Sequence, residues 1–279
     1  SIKSPLNYVG GKYKLLPQIV PLFPTEINTF VDLFSGGGNV GINVPAKRVR
    51  FNDNNDKINE LFRYFQGRDP EALIAQIEAL IGQYQLSKTN QDGFLKLRAD
   101  YNAAPTPIAL YTLVAYSFNY QFRFNNERQY NNPFGRNRSH FSERMAANLR
   151  RFVTRLNGID AVFTDDYFTA VAPSSLQAGD FVYADPPYLI TTGSYNDGNR
   201  GFVNWTAKQE HELYAYLDAL DARGIKFALS NVIAHKGRVN TELVAWSQRY
   251  QVHELNADYG NASHNTTHAG SREVLITNY

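Results

Sequence analysis

T-F-V-D-L-F-S-G-G-G, residues 29–38, is a short apolar run that stops on three consecutive glycines. An apolar stretch of that length bounded by glycine reads as a buried strand, here Thr29 to Phe34, followed by a tight turn. A second short strand, Val49 to Asn52, ends at Asp53, and Asp56 to Phe65 reads as a helix. Strand, turn, helix, strand, helix is the opening of a parallel α/β sheet wound on both faces.

The same rhythm returns far down the chain. Ala161 to Thr164 is a strand ending in Asp165-Asp166, and Asp180 to Ala184 is one ending in Asp185-Pro186-Pro187-Tyr188. Thr206 with Gln209 forms a capping box that opens a helix to about Ala222. Lys226 to Ser230 reads as a strand and Asn240 to Tyr250 as a helix. Gln251 to Leu255 and Glu273 to Thr277 are the last two strands. No helix fits the polar loop Asn256 to Ser271, so these two should pair antiparallel. The expected fold is a doubly wound sheet of seven strands with the last antiparallel.

Between the two halves the rhythm breaks. Asp69-Pro70-Glu71 is a helix start, and Leu73, Ile74, Ile77, Leu80 and Ile81 recur at helical spacing. Pro107 to about Phe118 is a second apolar helix. Gln121 to Arg136 has the alternation of a β-hairpin around Asn125-Asn126. Ser142 then caps a helix to about Leu156. This divides the chain into 1–66, an insertion at 67–158, and 159–279.

Charge singles out the insertion. The 279 residues carry a net charge of +2. From Gln121 to Arg155 eight arginines face two glutamates, an excess of six positive charges, so the rest of the chain sums to −4. Such a cluster suits a polyanion, or is a solvated face; the aromatics and amides among the arginines favour the polyanion. The absence of cysteine excludes a disulfide scaffold, a thiolate metal site and a cysteine nucleophile. No run is apolar enough to span a bilayer and no signal-peptide pattern opens the chain. Ser1 stands where a start methionine would, as after processing or trimming, and a soluble cytoplasmic protein is expected.

The strand ends carry the chemistry. Gly36-Gly37-Gly38-Asn39-Val40-Gly41 matches G-x-G-x-x-G and would let backbone approach a nucleotide-like cofactor. Pro45 cuts the following helix short and Asp53 comes early, which fits a nucleoside better than a dinucleotide. Asp53 could accept from both ribose hydroxyls, or could cap the helix near Asp56. Asp166 could accept from an adenine amino group with Tyr167 on the ring, or could be a surface turn acid. In Asp185-Pro186-Pro187-Tyr188 two prolines stiffen the strand end. The Asp185 carboxylate and the Pro186 carbonyl then offer two acceptors to the two hydrogens of an exocyclic amine, and Tyr188 offers a face for a base.

On these residues the chain resembles the D12-class, Dam-type DNA adenine-N6 methyltransferases, in the motif order of the α group. The resemblance rests on N-Y-V-G-G-K (7–12), V-D-L-F-S-G-G-G (31–38), F-N-D (51–53), F-N-Y-Q-F-R (118–123), N-P-F-G-R (132–136), T-D-D-Y (164–167), A-D-P-P-Y (184–188), L-S-N (229–231) and I-T-N-Y (276–279). It implies a Rossmann-like methyltransferase sheet in which the insertion recognises the target. S-adenosylmethionine is the implied cofactor. Tyr8 and Lys12 would line its pocket, Phe34, Gly36 and Gly38 would form its turn, and Asp32 would lie near its methionine amine. Asp53 would hold its ribose, and Asp166 with Tyr167 its adenine. Asp185, Pro186 and Tyr188 would hold the target base, Asp185 adjoining the cofactor as well. Asn119, Arg123 and Arg136 would contact double-stranded DNA. Tyr8 stands where Trp is common, and Tyr120-Gln121 replace a usual Gly-Leu, so a GATC specificity is not carried over.

Adenine N6 is a poor nucleophile because its lone pair is delocalised into the ring, and inside a duplex it cannot meet a methyl donor in line. The base must flip out, and two acceptors on its amino hydrogens would localise the lone pair. That chemistry needs no metal. The expected setting is restriction-modification or another form of DNA protection, with a cognate restriction endonuclease as a functional partner. Two other readings stand beside it: methylation of another planar substrate, an RNA adenine or a protein glutamine, and a silent DNA-binding module on the same fold.

Overall fold

The computed structural model describes residues 1–8, 10–191, 205–255 and 270–279. Residues 256–269 of the polar loop before the last strand lie outside them. Short helical turns at Tyr13–Leu15 and Val20–Leu22 flank α1 (Leu16–Ile19). Then follow β1 (Thr29–Asp32), β2 (Arg48–Asn52), α2 (Asp56–Phe65), α3 (Pro70–Tyr84), α4 (Gln91–Ala103), α5 (Pro107–Tyr116), α6 (Glu143–Asn157) and β3 (Ala161–Thr164). The chain continues with β4 (Phe181–Ala184), α7 (Ala207–Ala222), β5 (Lys226–His235), β6 (Arg238–Val239), α8 (Thr241–Ser247), β7 (Gln251–Leu255) and β8 (Ser271–Thr277).

The seven main strands lie in the order β3-β2-β1-β4-β5-β8-β7, with β6 added beside the end of β5. All neighbours from β3 to β5 are parallel. β8 runs antiparallel to both β5 and β7, as the sequence reading expects. The expected strand Lys226 to Ser230 is longer, because past residue 230 β5 pairs only with β8 and then with β6.

Period-two alternation sorts the strands' side chains into two cores. Phe30, Phe181, Tyr183, Ala228 and Leu275 face one; Val31, Val182, Ala184, Leu229 and Ile276 face the other. β4 is buried at every residue, as a central parallel strand covered on both faces should be. The first core is closed by α1, α2 and the helices of the 67–158 segment, the second by α7 and α8. The inserted helices therefore share the core of the sheet. Phe65 meets Tyr111 of α5 edge-on at 5.7 Å, and Phe62 meets Phe152 of α6 at 5.1 Å.

Two sequence expectations change here. α4 was not foreseen, because its apolar positions are reduced to Phe94, Leu97 and Tyr101 among polar residues. The hairpin expected over Gln121 to Arg136 is not a regular ladder. Its pairing is a single antiparallel bridge, Phe124 with Tyr130, flanked by Asn125 N–H to Gln129 O (2.8 Å) and Asn131 N–H to Arg123 O (3.4 Å). The Asn125 side chain accepts from the Glu127 and Gln129 amides. The Tyr130 side chain is buried, its hydroxyl 2.6 Å from Ser117 Oγ and donating to Gln121 O at 2.8 Å. Side-chain contacts replace the ladder that alternation alone would suggest.

On the other face a buried acid fixes α7. Glu210, fully buried, accepts from Trp205 Nε1 (2.9 Å), Tyr214 Oη (2.7 Å) and Asn240 Nδ2 (3.0 Å). Asn240 is itself the N-cap of α8. Glu210→Ala would leave three donors without an acceptor, and such orphaned groups cost about 1–3 kcal/mol each. The variant should lose about 3 kcal/mol or more by urea unfolding, whereas Glu212→Ala on the exposed face of the same helix should lose less than about 1 kcal/mol.

Candidate active site

Parallel strands deliver all their carboxyl ends to one edge, and a cavity of about 630 Å³ opens there. Its walls come from the turn after β1 (Leu33 to Gly37, Asn39, Val40), from Asp53 and Asn54 after β2, and from Asp166 to Phe168 after β3. Asp185 to Tyr188 follow β4, and the opening segment adds Tyr8 and Gly10 to Lys12. Of the residues singled out in the sequence, Tyr8, Lys12, Asp32, Phe34, Gly36, Asp53, Asp166, Tyr167, Asp185, Pro186 and Tyr188 all line this one cavity. Gly38 does not. It shapes the turn from behind, with φ 82° and its amide on Ser35 O.

The glycine turn is closed by acids. Gly36 has φ 48°, and a Cβ there would sit 2.9 Å from the Tyr8 ring, so only glycine lets the turn and Tyr8 approach. Asp53 accepts from the Gly36 amide through Oδ2 and from the Asn55 amide through Oδ1, both at 2.8 Å. The helix-capping alternative for Asp53 falls away: Asn55 is the N-cap of α2. Asp32 is buried and accepts from Gly41 N at 3.1 Å. Burial pushes Asp32 up to about 8, helped by the nearby charges of Asp185 and Asp53. Burial likewise pushes Asp53 up to about 6. Asp166 is not a free turn carboxylate, for Arg50 donates to it at 2.9 Å.

At the end of β4 the polar atoms are shared unequally. The Tyr188 hydroxyl donates to Asp185 Oδ1 at 2.5 Å, and Lys12 Nζ lies 3.3 Å from the same oxygen. Among the described residues no donor meets Asp185 Oδ2 or the Pro186 carbonyl. Lys12 is 6% exposed, donates to Gly10 O, and sits 4.8 Å from the centre of the Tyr188 ring. That ring is not the open face read from the sequence. It is buried with Ile190 and Val232, and an ammonium lies over it. Burial raises the Asp185 pKa, and Lys12 and the Tyr188 hydroxyl pull it back down.

Three features escaped the sequence reading. Trp205 stands on the cavity wall 5.8 Å from both Phe34 and Phe168, completing an aromatic side. Its only sequence signal was its place just before the capping box of α7, where Thr206 and Gln209 also reach the wall. Ser35 Oγ is a buried hydroxyl on the wall with no partner among the described residues. Glu273 of β8, half-buried, faces Lys12 and Asp185: burial and Asp185 raise its pKa and Lys12 lowers it.

The insertion supplies no wall of the cavity but adjoins it. Asn119 and Tyr120 both take left-handed backbone, with φ 55° and 53°, and present Phe118, which is 48% exposed. Asn119 O accepts from Asn7 Nδ2, and Phe122 meets Tyr8 edge-on at 6.2 Å. The arginine cluster is less free than its charge suggested. Arg128 holds Asp56, Arg150 holds Glu71, Arg151 donates to Ser1 O and Arg155 to Ile42 O. Arg136 donates to Gln91 Oε1 at 2.9 Å. Arg123 keeps a buried Nε with no partner among the described residues, and Arg138 and Arg144 are exposed.

Comparison with known proteins gives a consistent picture. The family model of the D12 class N6 adenine-specific DNA methyltransferase matches residues 8–261. The chain is 59% identical over 280 residues to the modification methylase StsI of Streptococcus sanguinis, and 54% identical over 278 residues to the type II methyltransferase M.FokI of Planomicrobium okeanokoites. All of this chain is covered in both alignments, but it spans only 43% of the length of each of those proteins. It is 26% identical to the DNA adenine methylase of Escherichia coli (strain K12), covering 97% of this chain and 93% of that one.

The raised Asp32 has a measurable consequence. A carboxyl whose folded pKa lies above its unfolded value stabilises the fold fully at low pH, and that contribution is lost as pH rises through the folded value. Between pH 4 and pH 8 the buried acid therefore becomes a growing liability. Asp32→Asn keeps an acceptor for Gly41 and should melt closest to wild type at pH 4, near the carboxyl's unfolded value. At pH 8.5 it should melt higher, by at least about 2–4 °C, the size of a 1 kcal/mol effect. Thermal melts at the two pH values decide it; equal curves at both would mean Asp32 is not held above its ordinary range.

Proposed function

Because this chain belongs to the D12 class of N6 adenine-specific DNA methyltransferases, we propose that it transfers the methyl group of S-adenosylmethionine to N6 of adenine in a specific duplex DNA sequence. The observation that carries the reading is the pair of unclaimed acceptors at the end of β4, Asp185 Oδ2 and the Pro186 carbonyl. An exocyclic amine has two hydrogens, and two adjacent acceptors draw both and localise the nitrogen lone pair. Tyr188 and Lys12 occupy Oδ1, so they fix which oxygen faces a substrate. Lys12 also opposes the burial that raises the Asp185 pKa and so favours the ionised carboxylate, which a positive charge developing on N6 calls for.

The cavity fits the cofactor. Its acids Asp32, Asp53 and Asp185 suit a ligand carrying a sulfonium and an amine, and Trp205, Phe34 and Phe168 supply an aromatic side. The orphan Ser35 hydroxyl leaves a polar group for a ligand to satisfy. We assign Asp32 to the amine, Asp53 to the ribose, and Asp166 with Tyr167 to the adenine, with Tyr8, Phe34 and Gly36 as walls and Gly38 shaping the turn. The bound cofactor supplies an electrophilic methyl group.

We assign target recognition to residues 67–158. Within it Asn119 adjoins Asn7 and Arg123 follows Phe122, which packs on Tyr8, whereas Arg136 is bonded to Gln91 of α4. Asn and Arg are the side chains that bond adenine and guanine bidentately. The setting is restriction-modification, as the names of the StsI and FokI relatives suggest, with a cognate restriction endonuclease as functional partner and the cytoplasm as location. Among the described residues no helix is long and apolar enough to cross a membrane.

Two variants test the chemistry. Asp185→Ala should cut kcat by about 10²–10³, the effect of removing one preorganised electrostatic group, while duplex binding persists. A variant keeping more than a tenth of the turnover would remove Asp185 from the mechanism. Lys12→Met should shift the acid limb of the kcat–pH profile upward, because the buried carboxylate loses the charge that holds its pKa down. Methylation assays on duplex DNA, single-stranded RNA and protein complete the test: transfer to RNA or protein alone would replace the proposed substrate, and no transfer to any would leave a binding module.

A further inference from the structure

The carboxyl edge of the sheet carries a second basic feature, on the other side of the proposed base pocket from the insertion. β4 ends at Ala184, paired with Leu229, but β5 continues through residues 230–235 and so rises past the strand end that bears Asp185. It then turns back into β6, with His235 opposite Arg238. The turn residues Lys236 and Gly237 have φ 49° and 79°. Two positive φ values in a two-residue loop define a type I′ turn, in which asparagine, aspartate or glycine is the usual first residue. A lysine held left-handed is strained there, and strain of that kind is retained where the side chain has work at that spot.

The hairpin is built rigidly. His235 Nδ1 lies 2.5 Å from Ser271 Oγ, Asn240 N donates to Ile233 O at 2.8 Å, and Asn240 Nδ2 is held by the buried Glu210. Its stem adjoins the pocket, because Val232 packs with Tyr188 and Ile190, and Arg238 Nη1 reaches Ile190 O at 3.4 Å. Its tip is open: Lys236, Gly237, Arg238 and Val239 are all exposed. Among the described residues neither Lys236 nor Arg238 meets a carboxylate. The nearby acids are engaged elsewhere, Glu254 with Arg272 and Glu273 toward Lys12 and Asp185. Two cations that no carboxylate meets among the described residues thus stand on a stiff arm beside Tyr188.

The insertion reaches the pocket from the other flank. Phe122 packs on Tyr8, whose hydroxyl accepts from Asn55 after β2, and Arg128 holds Asp56 of α2. The sheet order puts β1 and β2 on one side of β4 and β5 on the other. A duplex that engages the insertion and delivers a base to β4 must run on toward the β5–β6 hairpin. Resting on the duplex-DNA reading above, we propose that the 235–238 hairpin is a second DNA-contact arm, whose Lys236 and Arg238 bind backbone phosphates beside the extruded adenine.

Phosphate contacts contribute to affinity without reading sequence, and each one removed lowers the slope of log K against log salt by about one unit. The test is Lys236→Gly with Arg238→Gln. Glycine suits the turn, and glutamine keeps a donor for Ile190 O. Duplex affinity is measured at four salt concentrations on a methylatable sequence and on single-base variants. The expected result is a slope flatter by about one to two units, weakening by the same factor on every duplex, with kcat at saturating DNA unchanged. Arg238→Glu alone should weaken binding further than Arg238→Gln. An unchanged slope in the double variant overturns the arm, as does a loss confined to one sequence, which would make the hairpin a base reader. Both outcomes presuppose a parent chain that binds and methylates duplex DNA; if the parent binds no duplex, the functional reading fails instead.

Discussion

Parallel pairing of β1 with β4 is the constraint from which the site follows. Asp32 lies in register with Tyr183, so the glycine turn after one strand and the Asp-Pro-Pro-Tyr segment after the other open side by side at the same edge. β1 is also flanked by β2, whose continuation carries Asp53 to the Gly36 amide. Acids separated by more than 150 positions are thereby forced together in a low-dielectric wall. Burial raises Asp32, Asp53 and Asp185 alike, and Asp32 is raised further by the charges of Asp185 and Asp53. No arrangement of the helices alters this, because the strand ends and not the helices fix the separation.

Lys12 is the counterweight. Asp185 is the acid that the proposed chemistry needs charged, and it has a buried ammonium and a tyrosine hydroxyl on a single oxygen. Among the described residues Asp32 and Asp53 are held by backbone amides alone, and both are lifted far enough for a change of pH near neutrality to alter their charge. One edge of one sheet thus contains acids in two electrostatic regimes, distinguished by whether a cation reaches them.

The parts of this architecture legible in the sequence are those set by local pattern. Strand ends marked by Gly36 to Gly38, by Asp53 and by Pro186-Pro187 were located within a residue or two, because glycine and proline restrict backbone directly. The Thr206–Gln209 capping box formed as read. What could not be read depended on partners distant in sequence. Arg150 is a fastener because Glu71 lies across from it, and Trp205 is a wall because Phe34 and Phe168 meet it. The 121–136 loop alternates like a strand, yet Tyr130 turns inward to Ser117 and Asn102 holds its amide. The sequence alone presents the face of Tyr188 as open, because nothing local announces that Lys12 will cover it.

On the proposed function, the shared core of the sheet and the inserted helices bears on how such a protein could acquire a new target sequence. Phe62 and Phe65 of α2 are packed by α5 and α6, so exchanging the whole 67–158 segment for a foreign one would strip side chains from the catalytic sheet itself. The separable unit is smaller. Residues 118–138 are anchored through Ser117, Asn102, Tyr8 and the buried Phe122, Tyr130 and Asn132, with Arg128 on Asp56 and Arg136 on Gln91, while Phe118 and Arg138 stand exposed. Diversification, in nature or in the laboratory, is thus channelled into a loop whose anchors must be inherited intact, and recombination points inside α3 to α6 are closed to it.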